Sequence, residues 1–118
     1  MMLGNIRVTG MESNHPGGST VYRLEYAGRS LVYATDFEHL ARGSGFAAPD
    51  SSNGTCKGPG SSGSSPAGPA DALIRFAEGA DLLLYDATYT AAEYESRRGY
   101  GHSTPEAGID IFKKCGAG

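Results

Sequence analysis

The chain has 118 residues, enough for a single small domain, and its 10 Lys and Arg against 13 Asp and Glu give a net charge of -3 and a pI near 5.5. Its only adjacent basic pairs are Arg97 with Arg98 and Lys113 with Lys114, so there is no positive field to hold a polyanion, and this argues against non-specific nucleic-acid binding. The opening MMLGNIRVTG has neither a basic leader nor a long apolar run, so neither a signal peptide nor a membrane span is read there, and a cytoplasmic, reducing setting is expected.

Residues 5 to 9 alternate Ile6 and Val8 with polar neighbours and predict a short strand. Thr20 to Tyr26 (TVYRLEY) alternates again, placing Val21, Arg23 and Glu25 on one face and Tyr22, Leu24 and Tyr26 on the other. Ala27 and Gly28 supply a turn, and Arg29 to Thr35 (RSLVYAT) resumes as an apolar strand, so the segment predicts a β-hairpin. The stretch 42 to 69 is rich in Gly, Ser and Pro, with Phe46 as its one large apolar residue, and reads as a mobile insertion. Cys56 lies within it and Cys115 near the end of the chain. Neither has a partner at the short spacing of a zinc knuckle or redox motif, and a disulfide between them is not expected.

From Ala70 the apolar residues Ala72, Leu73, Phe76 and Ala77 recur at helical spacing, and Gly79 stands where a helix stop belongs. The run Asp81 to Ala87 (DLLLYDA) is continuously apolar and predicts a strand buried on both faces. A short helix is predicted at Ala91 to Arg97. Ser103, Thr104, Pro105 and Glu106 then open a last helix that runs to Lys114 and is ended by Gly116. Strands in a hairpin and strands alternating with helices together predict a mixed α and β protein whose sheet is covered on at least one side. The closing CGAG reads as a turn that feeds a further strand, so the architecture is expected to be partial.

Four side chains at the edges of these elements could carry chemistry: His15, Asp36, Asp86 and His102. His15 comes before the first hairpin strand and Asp36 after the second, so correct pairing of the hairpin brings both to one end of the sheet. Each also has an ordinary structural role open to it. A histidine beside a proline turn can serve as a loop hydrogen-bonder, and an aspartate after a strand can cap a helix. Asp86 can anchor residues 87 to 90, and His102 can orient the cap of the last helix. His39, three residues after Asp36, has the spacing to chelate on a helical turn, but is expected at the surface. HPGGST lacks the lysine and spacing of a phosphate-binding loop.

In order, the segments NHPGGSTVYRLEYAGRSLVYATDFEH, ALIRFAEGADLLLYDATYT and GYGHSTPEAGIDIFKKCGA resemble the second part of the metallo-β-lactamase-fold hydrolases, nearest the branches with phosphodiesterases and tRNA 3′-end-processing endonucleases. The resemblance covers nearly all of the chain outside 42 to 69. It implies an incomplete αββα-type α+β domain over 1–118 and a small-molecule or phosphodiester substrate. It also implies hydrolysis by hydroxide generated at two metal ions, zinc or else manganese or iron. On the matching positions, His15 resembles the metal-binding histidine before a strand and Asp36 the aspartate that bridges two ions. Asp86 resembles an acid that supports the site from behind the ligands, and His102, in GHST, the histidine that protonates the leaving group.

The family's HxHxDH motif and its late histidine ligand have no counterpart here. His15 and Asp36 alone do not bring either of two ions to four coordination, so the isolated chain is not expected to form a complete catalytic site. Three alternatives stand: a fragment of a longer hydrolase, one half of a site completed by another polypeptide or a second copy, or a scaffold that binds no metal. A sheet without its covering layer is expected to self-associate.

Overall fold

The computed structural model describes residues 1–40 and 67–118. In chain order its elements are β1 (Met2–Leu3), β2 (Ile6–Glu12), β3 (Thr20–Tyr26), β4 (Arg29–Ala34), α1 (Pro69–Phe76), β5 (Leu82–Tyr85), α2 (Ala91–Arg97) and α3 (Pro105–Cys115). The strands form one open sheet in the order β1-β2-β3-β4-β5, antiparallel through β4, with β5 parallel to β4. A parallel neighbour cannot be reached by a tight turn, and the crossover that carries α1 supplies the connection.

The hairpin β3–β4 pairs Tyr26 with Arg29 across Ala27 and Gly28, which take φ values of 49° and 76°. Positive φ at both central residues matches the right-handed twist of the flanking strands, and glycine adopts it without strain. On one face of the sheet, Val21, Val32 and Ala34 are fully buried beneath Leu73 of α1, Ala77 at its C-cap, and Ile111 and Cys115 of α3. Burial of a side chain such as Leu73 or Ile111 contributes roughly 1.5–3 kcal/mol. Arg23 lies on this inner face at the edge of the core. Its Nη1 donates to the carbonyls of Phe76 and Glu78, each at 3.0 Å, and so places a cation at the C-terminal end of α1.

The opposite face carries Tyr22, Tyr33 and Leu84 in register across three strands, and each is 42–44 % exposed. The strand at Leu82–Tyr85 is therefore not buried on both faces as its composition predicts. Leu83 and Tyr85 pack on the core, whereas Leu82 and Leu84 face outward, because both α1 and α3 lie on one side of the sheet. The N-terminal strand is longer than predicted, reaching Glu12, and β1 pairs with its start.

The last helix begins as its sequence dictates: Thr104 Oγ1 accepts from the Ala107 amide and Pro105 occupies the first turn. Gly116, at φ 64°, closes the helix in the left-handed conformation. Of the stretch expected as an insertion, residues 42–66 lie outside the described residues. Its C-terminal boundary is corrected, since Gly68 is the N-cap of α1 and Pro69 its first residue. Cys115 is a free thiol buried in the core, and Cys56 lies outside the described residues. Among the described residues no helix is long and apolar enough to cross a membrane.

Candidate metal centre

The two ends of the hairpin meet as its pairing requires. Ser13 and Asn14, at the end of β2, hold the segment that follows β4. The Ser13 hydroxyl donates to the Asp36 carbonyl, and Asn14 Nδ2 donates to the carbonyls of Glu38 (2.9 Å) and Leu40 (2.7 Å). His15 follows directly, with its ring orientation set by the Gly17 amide, which donates to Nδ1 at 3.2 Å. Asp36 sits at φ 50°, a left-handed conformation that aspartate tolerates better than most residues, and its side chain is half exposed.

His102 joins them from the loop before α3. Its ring stands edge-on to that of His15 at 5.4 Å, and its Nδ1 lies 3.8 Å from Asp36 Oδ1. One ligand atom from each of His15, Asp36 and His102 lies within 4.8 Å of the others. Two imidazoles and a carboxylate form the donor set that zinc takes at open sites with three protein ligands. With metal–ligand bonds near 2 Å at tetrahedral angles, two donors of one ion stand about 3.3 Å apart, so closing the cluster on an ion needs the donors to approach one another by up to about 1.5 Å. The donors fit one cation. Among the described residues they do not make a second four-coordinate site.

Asp86 lies behind this cluster, 6 % exposed, at the end of β5. Its Oδ2 accepts from His102 Nδ1 (2.8 Å) and the Phe37 amide (3.3 Å), and its Oδ1 from the Thr88 hydroxyl (2.7 Å), the Thr88 amide (3.1 Å) and the Ser103 amide (3.4 Å). Burial pushes the carboxyl upward, but the bonds from His102, Thr88 and Ser103 outweigh it and hold the group below its ordinary value. Because a carboxylate only accepts, the His102 proton that points at Asp86 is on Nδ1, which leaves Nε2 for other work. Asp86 thus both orients His102 and anchors Thr88. A cleft of about 680 Å³ opens beside His15, lined in part by Ser13, Asn14, Gly17, Gly18 and Phe37.

One residue departs from its sequence reading, and another has none. His39 is half-buried rather than fully exposed: its Nδ1 is 2.6 Å from Ser103 Oγ, and its ring stacks on Tyr94 at 4.7 Å. Burial holds its imidazole below the ordinary histidine value. Glu38, which has no obvious partner in the sequence, is 2 % exposed and accepts from the Tyr94 hydroxyl (3.0 Å) and the amides of Gly99 (2.7 Å) and Gly101 (3.1 Å). The only hint in the sequence is its place in TDFEH, immediately after a site carboxylate.

A sheet with helices on one face, an apolar opposite face and a His/Asp/His cluster at one strand end match an incomplete αββα arrangement of the metallo-β-lactamase type with a partial metal site. No family model matches the chain. The fold is that of the metallo-β-lactamase fold protein YhfI from Bacillus subtilis (TM-score 0.63, 20 % identity, 100 % of this chain and 36 % of that one). It is also that of the short form of human tRNase Z (TM-score 0.61, 20 % identity, 99 % of this chain and 35 % of that one). In sequence, ribonuclease Z of Lactococcus lactis subsp. lactis (strain IL1403) is 40 % identical over 47 residues, which is 40 % of this chain and 15 % of the relative. Ribonuclease Z of Exiguobacterium sp. (strain ATCC BAA-1283 / AT1b) is 38 % identical over 50 residues, 42 % of this chain and 17 % of the relative. The chain is thus homologous to ribonuclease Z and has the metallo-β-lactamase fold, and its matches span about a sixth of the length of these ribonucleases.

Proposed function

We propose that this chain carries part of the active site of a cation-dependent hydrolase acting on a phosphodiester or related ester. The convergence of His15, Asp36 and His102, with Asp86 behind, is the observation that supports this most strongly. His15 and Asp36 are the residues that would hold zinc, manganese or iron. A divalent cation there supplies Lewis acidity toward a phosphoryl oxygen and lowers the pKa of water toward ~7.

The chain's own groups account for the rest. Asp36 provides the anionic oxygen and His15 the imidazole donor at one end of a rigid hairpin. With its Nδ1–H committed to Asp86, His102 takes or gives a proton at Nε2, where it can serve a departing oxygen. The small spread of the cluster favours a second reading in which His102 is the third donor to the ion, oriented by Asp86 as metal-ligating histidines are by carboxylates.

The two readings separate on hydrolysis of bis(p-nitrophenyl) phosphate by a complete version of the site, measured beside zinc content. A proton carrier predicts that His102→Ala lowers turnover on the order of 10²-fold with zinc retained. Loss of zinc in that variant assigns His102 as a ligand. Equal, trace zinc in wild type, His15→Ala and Asp36→Ala makes the chain a scaffold.

A further inference from the structure

Resting on that reading of the site, we infer that Glu38 is its positioning residue: the buried carboxylate that fixes the loop carrying His102 against His15 and Asp36. The carboxylate takes donors from both sides of the loop. Oε1 accepts from Tyr94 and Gly99, and Oε2 from Gly101, the residue directly before His102. The Glu38 backbone is tied in turn to the segment that carries His15. Its amide donates to the Asn14 carbonyl at 3.2 Å, and its carbonyl accepts from the Asn14 side chain. One residue therefore bridges the stretches that deliver the two histidines, and it lies two positions from the aspartate.

The contact it enforces leaves no slack. Gly101 is buried at φ 89°, and a Cβ placed there would lie 2.3 Å from His15 Cδ2 and 2.5 Å from Pro16 Cδ. The Gly101 backbone thus rests directly on the His15 ring, and the hydrogen bond that its amide donates to Glu38 Oε2 holds it there. A carboxylate can serve every one of these donors because it is an acceptor on both oxygens. An amide cannot: in Glu38→Gln one position becomes an NH₂ group facing an N–H, and a loop amide loses its partner whichever way the side chain turns.

Glu38→Gln in the 118-residue chain tests this with two readouts. In the metal-free protein, the nuclear Overhauser contact between Gly101 and the His15 ring is expected to disappear, with at least tenfold faster exchange of the Gly99 or Gly101 amide. With zinc added, Kd is expected to rise about tenfold or more, the scale seen when a partner behind a metal ligand is removed. Tyr94→Phe removes only the side-chain donor, and should lower thermal stability while leaving the Gly101–His15 contact and the zinc Kd unchanged. A merely structural role would move both variants alike.

If Glu38→Gln does not fold, Glu38→Asp carries the same readouts, since it keeps the carboxylate but withdraws it by one methylene. Retention of the Gly101–His15 contact and of the wild-type Kd in the folded variant overturns the inference. Failure of the wild-type chain to bind zinc overturns the cation reading instead, and the Gly101–His15 contact still decides the role of Glu38.

Discussion

Replacing Asp86 by asparagine isolates what a carboxylate does behind the site. Its Oδ1 serves Thr88 and Ser103, and its Oδ2 serves His102 Nδ1 and the Phe37 amide. Asparagine keeps one oxygen, and the side with the most donors claims it. The NH₂ group then faces His102 and the Phe37 N–H. His102 can answer by moving its proton to Nε2 and accepting at Nδ1, but the Phe37 amide has no such option. A buried donor left without a partner costs about 1–3 kcal/mol. At about 4–8 °C per kcal/mol for a domain of this size, Tm should fall on the order of 10 °C. Thermal denaturation measures the fall, and two-bond ¹H–¹⁵N imidazole spectra report the tautomer. An Asp86→Asn protein with the wild-type Tm and the His102 proton still on Nδ1 would refute the reasoning.

Two further outcomes are expected. Burial depresses the His39 pKa, so the unfolded chain takes up a proton near pH 6.5 while the folded chain does not. The His39 contribution is therefore present above about pH 6.5 and is lost as pH falls toward the lower folded value. Denaturant unfolding of wild type and His39→Gln between pH 7.5 and 5 should show a steeper fall for wild type, and parallel curves would contradict this. The outward face around Tyr33, Leu82 and Leu84 predicts association that rises with concentration. Serine at both 82 and 84 should suppress that association in sedimentation velocity without changing secondary structure, whereas equal association in the two proteins would place the contact elsewhere.

The parts of the fold legible in the sequence are those that local physics controls. TVYRLEY alternates with a period of two and RSLVYA is a short apolar run, with a glycine turn between them, so the hairpin and its strand ends could be read directly. Pro105 after Thr104, and Gly116, bound the last helix by capping chemistry alone. The meeting of His15 and Asp36 followed from hairpin topology, without any knowledge of side-chain contacts.

What escaped the sequence is set by long-range packing. Leu82 to Tyr85 has the composition of a doubly covered strand, but among the described residues α1 and α3 cover one side, a matter of topology that composition does not encode. Glu38 meets Gly99 and Gly101 across more than sixty residues, and His39 meets Ser103 across 64, so no local pattern marks either. His39 reads as a surface residue, and nothing near Glu38 marks it for burial, since glutamate is rarely buried without a partner, and here the partners come from a distant loop.

Titration calorimetry with zinc on wild type, His15→Ala, Asp36→Ala and His39→Gln bears most directly on the site. One ion per chain in wild type and His39→Gln, with binding lost in His15→Ala and Asp36→Ala, is the predicted pattern. Equal binding, or equal absence of binding, in all four proteins would mean that the two ends of the hairpin meet without sharing a cation.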